Sequence, residues 1–521
     1  MIKKIILFVQ HNYNKILISI ILLSSAFLRL YKISGYMTFL GDEGRDVLIV
    51  RGILMGNFTL LGPRVSAADF FTGPIYYYFM APFLWLFNYD PVGPAVMVAL
   101  FGIATVYLVY RVGKDLFNDA TGIIASILYA ISPLVIAYSR SSWNPNPMPF
   151  FSLITLFILY KTAQKPKWKY FLLIGLLLGV SIQLHYQAAV LMLIVFIFLF
   201  VARYLILKKI EYLDLLKYYF QMLVGIIVGI SPFLLFEIRH GFPNTRTILN
   251  FVFSNNLHEK YIEGSSFASI IFNVFFRIFG RLLTRFPPPE QISVQGNILL
   301  QSWQIGTIVI ALLSLYILIK VKNKIIVALF SIWLIVGILS FGFYKKPIYD
   351  YYFAFMFPLP FLLIGNFITE LFRNKKYLYS VRIISVLIFL FFLIFNLMGE
   401  PFRYTPNRQK DQVKEISDFV LSKTNNQPFN FALITGGNSD YAYRYFFEIE
   451  GKSPVVIQNP VVDPQRKTVT SQLMVVCEDT NCQPLGDSLW EVAGFGRAEI
   501  AGQWQVSVVK VYKLIHYKGN I

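Results

Sequence analysis

The sequence predicts an α-helical polytopic membrane protein with about eleven transmembrane helices and a small extracytoplasmic α/β domain at its C-terminal end. Hydrophobic residues make up 56% of the 521 residues, charged residues only 14%, and mean hydropathy is +0.58. A soluble chain of this length could not bury so much apolar surface. Long apolar runs recur as far as residue 399, and the composition changes after it. We therefore expect two domains, 1–399 and 400–521.

Eleven apolar runs approach the roughly 20 residues that a helix needs to cross a bilayer. The first is long for a signal peptide and lacks a small-residue cleavage site, so we expect it to be a retained helix. The predicted spans are 16–33, 92–110, 120–138, 148–163, 169–185, 187–207, 217–236, 302–320, 324–343, 351–371 and 380–398.

Positive charge sets the predicted orientation. The net charge of +19 could suggest nucleic-acid binding, but no soluble segment interleaves basic and aromatic residues. Lysines and arginines instead fill every second connection, for example "YKTAQKPKWK" and "KVKNK", which places these loops and the N-terminus in the cytoplasm. The alternation works only if 73–88 is an interfacial helix rather than a span. The outer connections are then 34–91, 139–147, the "QLHYQ" turn, 237–301, 344–350 and the segment after 399.

The C-terminal segment has the pattern of a small α/β domain. "KDQVKEISDFVLSKT" and "SDYAYRYFFEIEG" predict helices, the second ending at Gly451. "FNFALITGG", "SPVVIQ", "SQLMVVCE" and "WQVSVVKVYKL" predict strands. Cys477 and Cys482 would face an oxidising compartment. The sequence allows two alternatives there, a disulfide between them or two free thiols.

An acid pair, Asp42 and Glu43, directly follows the first span in "GDEGRDVLIVR". Acids there could simply complement the dipole of a helix N-terminus. Polar residues nevertheless gather at the predicted outer ends, although each alone could be a capping or snorkelling residue. The candidate substrate-binding residues are Arg45, Arg51, Asp69, Arg140, Asn144, His185, Glu237, Arg239, Lys345, Tyr349 and Asp350.

Acids and arginines beside lipid suit a lipid-linked phosphosugar, an anion whose tail stays in the membrane. Transfer of its sugar needs a base to take the proton from an acceptor hydroxyl. It also needs cations, or a metal ion, to stabilise the departing phosphate. A divalent metal ion therefore stays open as a cofactor, with Asp42 as a candidate ligand.

The chain resembles the C-type (GT-C) glycosyltransferase superfamily, whose polytopic members use polyprenyl-phosphate sugars. It is most similar to the branch of protein O-mannosyltransferases and lipid A aminoarabinose transferases. The resemblance rests on the pattern D-E-x-R, five residues, R at Asp42, Glu43, Arg45 and Arg51, then "GNF", "FFTGPIYYYF" and "YYFAFMFPLPFLLIG". It implies an inverting transferase with Asp42 as catalytic carboxylate, Glu43 as its neighbour, and the arginines positioning the loop or the phosphate.

At two places the sequence departs from the family pattern, so the residue roles known from the family cannot all be assigned to this chain. Gly73 stands where the family has a basic residue before the proline, so no phosphate contact can be assigned there. The second outer connection, "SRSSWNPNP", lacks the carboxylate that the family often has. Asp69 or Asp350 could compensate for it, which leaves the metal question open.

The predicted function is transfer of a sugar from a polyprenyl phosphate to a protein, glycan or lipid acceptor on the outer face. The composition favours a bacterial cytoplasmic membrane. The main alternative is a lipid-glycan flippase or transporter, which would place polar or broken helices near the midplane. A second alternative is a non-enzymatic scaffold that works through its external domain.

Overall fold

The computed structural model describes residues 2–65, 70–253, 266–287, 291, 293–344, 347–373, 379–479 and 481–519, with side chains described from residue 12 and not at 251–253. The chain forms two compact units. The first comprises residues 1–31, 58–79 and 96–405, and the second comprises 32–57, 80–95 and 406–521. The boundary predicted at 399/400 stays a prediction, and the second unit includes two segments from the first hundred residues.

Helices dominate the chain up to residue 397. They are α1 Ile2–Leu30, α2 Ile33–Tyr36, α3 Gly41–Leu54, α4 Ile75–Leu86, α5 Val92–Leu116, α6 Asp119–Ile131, α7 Pro133–Tyr138, α8 Met148–Gln164, α9 Trp168–Leu184, α10 Ala188–Leu207, α11 Tyr212–Gly229, α12 Ser231–His240, α13 Pro243–Phe253, α14 Phe267–Leu283, α15 Ile298–Ile319, α16 Lys324–Leu339, α17 Pro358–Arg373 and α18 Tyr379–Leu397. Short 3-10 helices lie at Ser340–Phe343, Asp350–Met356 and Pro401–Arg403, and strands β1 Arg64–Val65 and β2 Phe70–Phe71 pair antiparallel.

The chain is a multi-pass membrane protein. Among the described residues, seven helices have the length and apolarity to cross a bilayer, or eight if the pair Asp350–Met356 and Pro358–Arg373, bent by 55°, forms one span. Each of the eleven predicted segments is largely helical, but several are short or broken, as at Pro133 between α6 and α7. Proline cannot donate a backbone hydrogen bond inside a helix, which explains this break. The count of eleven spans is not confirmed.

The connections predicted to share one side of the membrane meet in the first unit. The Ile75 N–H donates to Gln183 Oε1 (3.2 Å), and the Phe71 N–H donates to Asn244 Oδ1 (2.9 Å). At the other helix ends, Lys161 forms an ion pair with Asp115 (2.8 Å). The predicted alternation is therefore consistent with the packing, while which side is cytoplasmic stays a prediction.

The second unit contains the C-terminal α/β domain. Its elements are α19 Gln409–Lys423, β3 Asn430–Ile434, α20 Tyr441–Ile449, β4 Gln472–Cys477, α21 Trp490–Phe495, β5 Ala498–Val506 and β6 Val509–His516. The sheet order is β3-β4-β6-β5, with β3 and β4 parallel and the other pairs antiparallel. Leu473, Val475 and Leu514 lie in its core. Cys477 and Cys482 form a disulfide with a Cα–Cα distance of 5.9 Å.

Two strand predictions are corrected, and one predicted connection contains a helix that the sequence did not indicate. "SPVVIQ" is not a strand: Val455 donates one bond to the Phe429 carbonyl, and Pro454 has no N–H for a ladder. "WQVSVVKVYKL" is not one strand, because Ser507 adopts a left-handed φ of 50° and turns β5 into β6. The predicted connection 237–301 contains the apolar helix α14, in which Arg277 and Arg281 interrupt the hydrophobic pattern.

Candidate active site

The acid pair lies in the first turn of α3, within the second unit. The Asp42 side chain is 53% exposed, and one of its oxygens, Oδ1, accepts from Arg45 Nη1 at 2.7 Å. Asp42 and Arg45 are three positions apart, so the two side chains share one helix face. Asp42 is therefore a solvent-facing carboxylate with one oxygen oriented by a guanidinium.

The neighbouring acid, Glu43, is turned the other way and is only 8% exposed. Its Oε2 accepts from the Leu40 N–H (3.1 Å) and its Oε1 from the Thr38 hydroxyl (2.5 Å). Burial raises the pKa of Glu43, and these two hydrogen bonds oppose the rise. A glutamate that accepts from the N-cap backbone satisfies a donor that the helix cannot. The structure thus places Glu43 as the residue that fixes the start of α3.

A third acid on α3, Asp46, was not selected from the sequence. It is buried, and its Oδ1 accepts from Arg45 Nη2 (2.7 Å) and Nε (3.0 Å). Burial raises its pKa to about 7, although Arg45 opposes the rise. Arg45 therefore bridges the buried Asp46 and the exposed Asp42. The i, i+4 spacing of the two aspartates, with the arginine between them, could have identified this arrangement.

Arg51, the last residue of the family-like pattern, forms an ion pair with Glu448 on α20. Both residues lie in the second unit. This contact fits the positioning role that the resemblance implies for Arg51.

The other candidates that the structure describes belong to the first unit, and three of them have backbone hydrogen-bond partners. Arg140 donates to the carbonyl oxygens of Leu28 (2.9 Å) and Tyr31 (2.8 Å). Asn144 Nδ2 donates to the Leu184 carbonyl at 2.5 Å. His185 is buried and accepts from the Gln187 N–H at its Nδ1 (3.3 Å).

Asp350 is the predicted acid with the strongest partners in the first unit. It is buried, accepts from Arg277 Nε at 2.8 Å and is also paired with Arg281. The sequence did not single out these arginines. Their i, i+4 spacing within an apolar run is the signal that identifies them, since ionisable residues in such runs are seldom accidental. Tyr349, beside Asp350, is exposed.

Aromatic side chains from two connections and from the 3-10 helix Asp350–Met356 surround this part of the first unit. The Tyr186 and Tyr344 hydroxyls lie 3.0 Å apart. The His185 ring contacts those of Tyr351 and Tyr352, with centroids 5.7 Å and 5.3 Å away. The structure thus brings together His185 and the Asp350 region, as the predicted outer face required.

The remaining candidates are separate from this group or lie outside the described residues. Glu237 caps α13, accepting from the Asn244 N–H (3.2 Å) and the Thr245 N–H (2.7 Å). Arg239 is exposed. Asp69 and Lys345 lie outside the described residues.

A buried acid that the sequence did not indicate lies after α18. Glu400 has no hydrogen-bond partner for either carboxylate oxygen among the described residues. Burial raises its pKa to about 7, and the charges of Arg29, Arg140 and Arg285 oppose the rise.

The divalent metal ion that the sequence leaves open as a cofactor has no ready site among the described residues. In the part of the chain that the structure describes, no three His, Cys, Asp or Glu side chains are grouped so that they could hold one. The acids of α3 are instead engaged by Arg45 and by the helix backbone. The described residues therefore do not fit a three-ligand metal site.

Residues 72–236 match the family model described as dolichyl-phosphate-mannose-protein mannosyltransferase. ArnT from Cupriavidus metallidurans, solved bound to undecaprenyl phosphate, is 12% identical with a TM-score of 0.63, over 96% of this chain and 98% of that one. The resemblance to the GT-C glycosyltransferase superfamily is confirmed. So is the predicted fold class, a helical GT-C-like membrane protein with a C-terminal sheet domain.

A second solved structure shares this GT-C fold. The archaeal oligosaccharyltransferase AglB from Archaeoglobus fulgidus, in complex with an inhibitory peptide and a dolichol-phosphate, is 14% identical with a TM-score of 0.51, over 90% of this chain and 70% of that one. No curated protein matches the chain in sequence.

Proposed function

We propose that this protein is an inverting membrane glycosyltransferase that moves a hexose or pentose from a polyprenyl phosphate to an acceptor hydroxyl. The observation that carries the proposal is the exposure of Asp42 on a helix whose other two acids are buried. Structures similar to this one hold undecaprenyl phosphate or dolichol-phosphate, which supports a lipid-linked donor. The acceptor is a protein, glycan or lipid, and the AglB complex with a peptide supports the first of these.

In the proposed reaction, Asp42 accepts the proton of the acceptor hydroxyl. The acceptor oxygen attacks the anomeric carbon from the face opposite the phosphate. The bond between that carbon and the phosphate oxygen breaks, and polyprenyl phosphate leaves with the electron pair. Arg45 keeps Asp42 oriented, because its guanidinium is also anchored on the buried Asp46.

The departing phosphate requires cations in a site with little water. Arg45 and Arg51, which lie in the same unit as Asp42, are the candidates. We further propose that the membrane is a bacterial cytoplasmic membrane, with the N-terminus inside and residues 400–521 outside.

Sugar transfer from a panel of polyprenyl-phosphate sugars to endogenous acceptors tests the proposal, in membranes that contain wild type or Asp42→Asn at equal expression. Loss of the base predicts transfer reduced by about a hundredfold or more. Glu415→Gln, which neutralises an exposed acid on α19, is the matched control and should transfer normally. Equal transfer by wild type and Asp42→Asn would remove Asp42 from the mechanism.

Glu43→Gln separates the two acids of the pair. The glutamine keeps an amide oxygen that can accept from the Leu40 N–H or the Thr38 hydroxyl. We expect transfer within about tenfold of wild type, since a cap affects helix stability more than the chemistry. A loss equal to that of Asp42→Asn would instead give Glu43 a direct part in the reaction.

A further inference from the structure

The "TGGNSD" segment, residues 435–440, joins β3 to α20 and has no part in the mechanism above. Within it, Asn438 Oδ1 accepts from the Gly41 N–H at 2.9 Å and from the Ser439 N–H at 2.9 Å. Gly41 is the first residue of α3, and Asp42 is the next. The first N–H groups of a helix have no partner within it, so Asn438 supplies one from a position 397 residues away.

The orientation of Asn438 is fixed from its other end. Its Nδ2 lies 3.2 Å and 3.3 Å from the two carboxylate oxygens of Glu478. Glu478 also accepts from the Thr435 hydroxyl (2.8 Å) and the Tyr443 hydroxyl (2.9 Å). Because a carboxylate only accepts, Glu478 forces the amide NH₂ toward itself and the amide oxygen toward Gly41.

The same contact leaves little space at the start of α3. A methyl group at Gly41 would overlap the Ser439 hydroxyl and approach the Ser439 nitrogen to 2.9 Å. Glu478 directly follows Cys477, whose disulfide with Cys482 closes the loop that carries the carboxylate. The series of hydrogen bonds from Glu478 through Asn438 to Gly41 is therefore fixed in position at both ends.

We infer that Asn438, oriented by Glu478, is a positioning residue that sets the first turn of α3 and with it the direction of the Asp42 carboxylate. The inference rests on the proposed function and deepens it, because it gives the C-terminal domain a part in the reaction. A displacement of about 1 Å in a reacting group can reduce a rate about a hundredfold. The contact matters for turnover rather than for binding the lipid donor.

The test measures kcat, donor KM and amide hydrogen exchange in the full-length protein in detergent. Asn438→Ala should lower kcat by about ten- to a hundredfold while donor KM stays within about twofold. Exchange of the amides at 41–44 should rise by about fivefold, the effect typical of a lost helix cap. Gln503→Ala, on the exposed part of β5, is the control and should change neither quantity.

A compensating pair separates positioning from general damage. Asn438→Asp keeps the acceptor for the Gly41 N–H but sets two carboxylates against each other, so kcat should fall. Adding Glu478→Gln returns an NH₂ donor to that contact and should restore kcat and slow exchange. General damage to the fold predicts losses in both variants without this recovery.

Each outcome decides the inference. Faster exchange at 41–44 with unchanged kcat would overturn it, as would unchanged exchange in Asn438→Ala. Absence of transfer in the wild type would refute the proposed function instead. In that case the exchange data alone would show whether Asn438 holds the first turn of α3.

Discussion

Substitution of Gly44 by alanine should separate α3 from α20. A methyl group at Gly44 would overlap the backbone nitrogen and Cα of Ala442, and it would lie 2.6 Å from the carbonyl carbon of Tyr441. A real Cβ keeps about 3.4 Å from such atoms, so this contact alone must open by about 0.8 Å. The overlapped atoms are main chain and cannot rotate away, so one helix must shift.

The expected loss follows from two opposing effects. Overpacking of a close contact costs about 1–3 kcal/mol, and the rigid backbone here favours the upper end. Alanine regains up to about 1 kcal/mol over glycine within a helix. A net loss of about 2 kcal/mol should speed exchange of the α3 and α20 amides about thirtyfold if both open together. Transfer should fall as well, because Asp42 lies one half-turn away.

Gly52→Ala is the matched control in the same helix. Its methyl group would meet only the Asn57 Cβ, at an ordinary 3.8 Å. It should therefore leave exchange unchanged or slow it, by up to about 1 kcal/mol of added helix stability. Equal exchange in Gly44→Ala and wild type would refute the close packing. Equal acceleration by both alanines would show that helix propensity, not the contact with α20, governs α3.

Two further substitutions test buried charges of the first unit. Asp350→Asn should lower the free energy of unfolding by about 3–5 kcal/mol, because Arg277 and Arg281 lose a buried counter-ion. Denaturant titrations measure this loss. A loss under about 1 kcal/mol would show that water already screens the two arginines. Glu400→Gln should remove a pH dependence. The pKa of Glu400 rises from 4.5 to about 7 on folding, so the folded protein holds a proton that the unfolded chain releases. Wild-type stability should therefore fall from pH 4.5 to pH 7 relative to Glu400→Gln, in thermal unfolding scans across that window; parallel pH profiles would contradict it.

Apolar composition alone predicts most of the helices. The eleven runs appear as helices because a lipid-facing backbone must satisfy its own hydrogen bonds. The same criterion missed α14, because Arg277 and Arg281 make its sequence look like a polar connection. It also could not foresee the hairpin at Ser507, since "VSVV" contains none of the glycine or asparagine residues that favour a left-handed φ.

The site could be predicted only as far as local spacing reaches. The pattern from Asp42 to Arg45 is a feature of one helix turn, and the structure has that ion pair. Burial of Glu43 and Asp46 depends on what packs against α3, which one sequence does not reveal. The contact between Gly41 and Asn438 joins positions 397 residues apart, and no periodicity connects them.

In the second unit, helix α3, which carries the three acids, packs against α20 of the C-terminal domain. With 14 residues, α3 is near the length at which isolated helices are marginal in water, and its sequence is only weakly apolar. Its stability must come from packing, and Phe39 and Gly44 pack on α20. Packing also determines the exposure of the three acids. Glu43 and Asp46 are buried, and Asp42 stays exposed to solvent. The C-terminal domain is thus part of the physical unit that gives Asp42 its exposure.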